Sequence, residues 1–236
     1  QNTYDVILVR LSDPSDLQTN RFFTREFFSL AEERLDEDGI LVIGLPGSIS
    51  LLNDELRDLN GCIFNTLRDV FPHVRVFPGD GVNLFLASSS EEVLLLDRQR
   101  LVDRSGERFL RTTVPVARHI EKRMHPRWQD WFTGFIEGGT REINRDLRPL
   151  GTFYSVAHWN ALHSPYLRGP FRWAEKIRLW MFVALFIVFI ILFFQVWSGD
   201  GGPSGPGVPL CIATTGFAGM MFDLALIFTF QSIYGY

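Results

Sequence analysis

The sequence predicts an α/β fold in which a parallel sheet ends in an antiparallel hairpin and α-helical transmembrane segments follow. Three observations carry this. Two unbroken apolar runs, at residues 6–9 and 40–45, flank a stretch of helical periodicity, the order of a right-handed crossover between parallel strands. Two shorter β-type runs then enclose Pro78, Gly79, Asp80 and Gly81, a turn that reads as a hairpin. Further on, Leu179–Trp197 contain no charged residue.

The first strand opens the chain and sets its organisation. Residues 6–9 (VILV) have no polar alternation, which suits a central strand covered on both faces. In open parallel sheets ligands bind outside the carboxyl ends of the strands. Residues 10–16 therefore occupy the position where chemistry is expected, although Ser12, Asp13 and Pro14 equally suit an ordinary strand-ending turn. A domain that enters a buried-type strand by Tyr4 is an odd beginning, so residues upstream are expected.

Residues 21–35 place Phe22, Phe23, Phe27, Leu30, Ala31 and Leu35 at helical spacing. That predicts one amphipathic helix, ended by a turn at residues 36–39. The second strand, residues 40–45, closes at Pro46 and Gly47. Asn53 can cap a helix over residues 54–70, where Leu56, Leu59, Ile63, Leu67 and Val70 recur on one face. Residues 74–77 and 82–87 form the hairpin. Its glycines do not make a phosphate loop, because no helix start follows them. A crossover unit finishing in a helix and a hairpin is the C-terminal half of a methyltransferase-like Rossmann fold.

Residues 91–150 are charged and weakly periodic, with short helices expected at 92–102 and 126–136 and an aromatic helix at 153–162. The predicted division is a half-Rossmann domain over 1–90, a mixed helical extension over 91–172, a transmembrane helix over 173–197, a Gly/Pro loop over 198–209 and a second transmembrane helix over 210–236. The nineteen residues of this run, of which only Gln195 is polar, rise about 28 Å, near the thickness of a bilayer's hydrocarbon core. Trp180 and Trp197 sit near the ends of that run. Arg168, Arg172, Lys176 and Arg178 precede it, whereas the connecting loop carries only Asp200. The positive-inside rule then places the globular part in the cytoplasm. Asp223 is the single charge of the second run, with Gly216 and Gly219 nearby. At membrane depth it would serve an ion or cationic substrate, or pair with another helix.

Composition narrows the partners. The net charge of -4 gives no reason to expect nucleic acid, and the 22 phenylalanines point to a lipid bilayer as an additional solvent. Cys62 and Cys211 are too far apart in sequence to imply a disulfide framework or a metal site. His73, His119, His125, His158 and His163 include no pair at helical ligand spacing, so no metal is expected.

Residues 4–14 (YDVILVRLSDP), 23–28 (FTREFF) and 38–42 (DGILV) resemble the second half of the polyamine aminopropyltransferases, the spermidine synthases. Residues 143–149 (INRDLRP), 215–223 (TGFAGMMFD) and 230–236 (FQSIYGY) are similar to bacterial inner-membrane proteins in which such a domain lies between sets of transmembrane helices. The resemblance implies aminopropyl or related group transfer from decarboxylated S-adenosylmethionine, or a related nucleoside, to a small-molecule amine. It also implies an upstream half-domain and further membrane helices as structural partners.

In that family the strand ends in an aspartate, two further residues, then a second aspartate and a proline. Asp13 matches the second aspartate, and the resemblance gives it substrate-amine binding. Arg10 stands where the family has the acid at the reacting amine. A guanidinium cannot act as a base near neutrality, and it repels the diammonium substrate that a carboxylate attracts. At 4 Å and an effective dielectric near 20 each term is about 4 kcal/mol. Even a quarter of the roughly 8 kcal/mol swing exceeds a factor of ten in affinity, so ordinary spermidine synthesis is not expected. Arg10 either pairs with Asp13 or Asp16 or recognises an anionic, carboxylate-bearing ligand. The candidate substrate-binding residues are thus Asp13, Arg10 and Asp16. The alternative to a transferase is a non-catalytic ligand-sensing or transport-related membrane protein.

Overall fold

A computed structural model describes residues 3–11, 13–48, 53–107, 116–164, 166, 169, 173, 179–197 and 207–234. The chain divides into two units, Gln1–Pro165 and Tyr166–Tyr236. In the first, β1 (Tyr4–Val9) pairs in parallel with β2 (Leu35–Gly47), as the crossover pattern predicts. The hairpin strands β3 (His73–Phe77) and β4 (Gly81–Ser88) follow, and β4 pairs antiparallel with β2. The sheet order is β1-β2-β4-β3. Gly81 adopts φ +90° at the hairpin turn, a conformation costly for a residue with a Cβ.

Between β1 and β2 come α1 (Leu17–Asn20), a 3-10 turn (Arg21–Phe23) and α2 (Arg25–Glu32), so the single helix expected over residues 21–35 is broken into the turn and α2. Thr24 makes the break. Its Oγ1 accepts from the Phe27 N–H at 3.4 Å and caps α2, satisfying a donor that no helical carbonyl can reach. Residues 36–39, expected as a turn, lie within β2. The register slips between Tyr4↔Leu35 and Val6↔Ile40, so the extra residues are absorbed as a bulge rather than a helix-ending loop.

α3 (Asp54–Arg68) begins at Asn53, whose Oδ1 accepts from the Leu56 N–H at 2.8 Å. Beyond the sheet come α4 (Arg98–Glu107), α5 (Val116–Arg123), α6 (Pro126–Glu137) and α7 (Leu150–His163). The core lies on one face of the sheet. Leu41, Ile43, Phe85 and Ala87 pack there with Phe28 of α2, Ile63 and Leu67 of α3, and Phe132 and Ile136 of α6. Each of the larger side chains among these contributes about 1.5–3 kcal/mol by leaving water. The strand period of two turns Val6 and Leu8 to the other face, where they are 57% and 62% exposed. β1 is therefore an edge strand with one open face among the described residues, not the doubly covered strand that its composition predicts.

The second unit contains α8 (Leu179–Trp197) and α9 (Gly207–Tyr234), with Phe186 and Phe217 ring centroids 6.4 Å apart. Both helices form where the apolar runs predict them. Among the described residues, however, no helix is long and apolar enough to cross a membrane. This corrects the expected transmembrane segments and the integral-membrane localisation. α9 is longer, but Thr214, Thr215, Gly216, Gly219 and Asp223 interrupt its apolar surface. Asp223 is exposed on α9.

Candidate functional site at the carboxyl end of the first strand

A buried polar knot fixes the chain that leaves β1. Asn144 is fully buried, and its Nδ2 donates to Asn20 Oδ1 at 2.9 Å and to the Phe23 carbonyl at 3.0 Å. Its Oδ1 accepts from the Gly151 N–H at 3.0 Å, and its own N–H donates to Thr66 Oγ1 at 2.9 Å. One residue thus ties the α1 region, α3 and the start of α7 together. Gly151 is required by this closeness, since a Cβ there would stand 2.4 Å from Asn20 Oδ1. A second amide pair steadies the end of β2. Asn83 Nδ2 donates to Asn60 Oδ1 at 3.1 Å, and Asn60 Nδ2 donates to the Pro46 carbonyl at 3.2 Å.

Asp13 is half-buried, and the Ser155 hydroxyl of α7 donates to its Oδ2 at 2.5 Å. Asp16 is spent on structure. It caps α1, its Oδ1 accepting from the Thr19 N–H and its Oδ2 from the Thr19 hydroxyl, both at 2.8 Å. Arg10 is exposed and forms no ion pair with Asp13, Asp16 or any other acid among the described residues. Asp223 lies in the other unit.

His158 joins the group from α7, one turn beyond Ser155. Its Nδ1 is 3.1 Å from Asn53 Oδ1, an atom that already accepts from the Leu56 N–H. Because that atom is an acceptor, Nδ1 carries the proton and Nε2 keeps its lone pair. Burial moves the imidazole below its ordinary value, against the opposing charges of Glu55 and Asp13. A carboxylate with one oxygen fixed and one open, beside a neutral imidazole, suits an ammonium group. Sequence reasoning missed Ser155 and His158. Their signal was two polar residues three apart on an aromatic-rich helix, the spacing that shares a face.

Other candidates fall away. Arg25 is paired with Asp69 at 2.5 Å, and Glu26 Oε2 accepts from the Asp146 N–H at 3.1 Å, so the start of α2 is occupied structurally. Cys62 is fully buried, and burial pushes its thiol far above the range in which it is a nucleophile. An open cleft of about 490 Å³ lies along α1 and α2, lined by Gln18, Phe22, Phe27 and Leu30 among others. It shares no residue with the Asp13 group, and the strand-end rule favours the latter as the site.

Comparison with known families bears on this strand end. Residues 1–94 match the spermine/spermidine synthase domain. The match takes in β1 to β4 together with Arg10 and Asp13, and it stops short of α7. That stretch is thus spermidine synthase-like, similar to a family whose enzymes use decarboxylated S-adenosylmethionine as substrate. No curated protein matches the chain.

Proposed function

We propose that the spermidine synthase-like domain binds an ammonium group through Asp13 and that its aminopropyl transfer to simple diamines is weak. The carrying observation is the charge order at the end of β1, with Arg10 exposed and unpaired among the described residues and Asp13 held on Ser155. In aminopropyl transfer the neutral amine's lone pair attacks the carbon attached to the sulfonium. The carbon–sulfur bond breaks, its electron pair passes to sulfur, and the released thioether is neutral. The attacking nitrogen must shed a proton to a base. Position 10 supplies a cation instead of that base, and the same cation opposes the second ammonium of a diamine.

The unpaired state of Arg10 supports a second reading of the ligand. A guanidinium fork suits a carboxylate, so an amine bearing a carboxylate at its other end fits the two charges better than a diamine does. Turnover by the full-length protein with putrescine and decarboxylated S-adenosylmethionine tests the proposal. Little spermidine is expected from the parent, and more from Arg10→Asp. Robust spermidine formation by the parent would defeat it.

A further inference from the structure

Asp13 receives a hydrogen bond from outside the segment that matches the synthase domain. Ser155 sits on α7, 142 positions further along the chain, and is fully buried. Its hydroxyl hydrogen is committed to Asp13 Oδ2, which fixes the carboxylate's orientation and leaves Oδ1 for another donor. α7 cannot drift from this position. Gly151 in its first turn is bonded to Asn144, and the Thr152 hydroxyl donates to the Asp16 carbonyl at 3.3 Å. One turn past Ser155, His158 is bonded to the Asn53 cap of α3. The helix is thus pinned to the loops that follow both parallel strands.

We infer that α7 completes the amine site and that Ser155 is a positioning residue for Asp13. The role rests on the reading of Asp13 as the ammonium anchor. A charge-assisted bond of this kind selects one rotamer of a half-buried carboxylate, so the ligand does not have to order it on binding. A purely structural serine would contribute to folding alone. A positioning serine contributes to ligand affinity through Asp13, and only while Asp13 carries its charge.

A double-mutant cycle read by calorimetry separates these roles. The full-length parent, Ser155→Ala, Asp13→Asn and the double variant are titrated with putrescine and, separately, with 4-aminobutanoate, and the melting temperature of each protein is recorded. Ser155→Ala is expected to weaken the tighter-binding of these amines about tenfold, the scale of one hydrogen bond to a charged group. In the Asp13→Asn background the same substitution is expected to change affinity less than twofold. Parent-like affinity in Ser155→Ala, or a tenfold loss that persists without the Asp13 charge, would overturn the inference while leaving the Asp13 reading intact. Absence of amine binding to the parent, or undiminished binding to Asp13→Asn, would overturn the reading itself.

Discussion

Arg10 and Asp13 stand three residues apart at the end of β1, and for any ligand with two positive ends their effects oppose. His158 is tuned in a related way, because a half-buried imidazole with its Nδ1 proton on Asn53 resists a second proton. The unfolded chain takes up that proton near the ordinary histidine value of about 6.5, whereas the folded chain does so at lower pH. Stability is therefore complete above that value and falls as pH drops towards the folded one. Melting curves of parent and His158→Asn are expected to run parallel from about pH 8 to pH 7, with the parent losing ground from about pH 7 to pH 5. Curves that stay parallel throughout would contradict the burial argument. The serine and histidine were hard to find in sequence because no local pattern reports a partner more than a hundred residues away. The place of Asp13 just beyond a strand end was legible because the apolar run stops abruptly in polar residues, whereas a role for it came only from the resemblance.

At the scale of elements, the two faces of the sheet predict different sensitivities. Ile43 of β2 is fully buried in the core, so Ile43→Ala is expected to cost about 2–4 kcal/mol. Leu8 of β1 lies on the open face, and Leu8→Ala is expected to cost less than about 1 kcal/mol. Urea unfolding of the two variants checks this, and equal losses would mean that the open face is packed in solution. The parallel crossover and the hairpin were legible because apolar runs and a Pro/Gly turn report local geometry directly. The break between α1 and α2 was not, since Phe22, Phe23 and Phe27 keep helical spacing across the capping Thr24. Coverage of β1 was misread for a related reason. Composition states that a strand is apolar on both sides, but it cannot state what stands against each side.

Over the whole molecule, the first unit carries the synthase-like sheet and the Asp13 site, and the second carries two long apolar helices. The positions of those helices were evident from hydropathy, but their role was not. Apolar length near a threshold specifies a helix more securely than it specifies the solvent around it. The functional account rests on one arrangement, an ammonium anchor at Asp13 opposed by a cation at position 10. Calorimetric titration of putrescine into the full-length parent and the Arg10→Asp variant tests it most directly. The account predicts at least tenfold tighter binding in Arg10→Asp, a fraction of the electrostatic swing at moderate dielectric. Equal or weaker binding in that variant would contradict it.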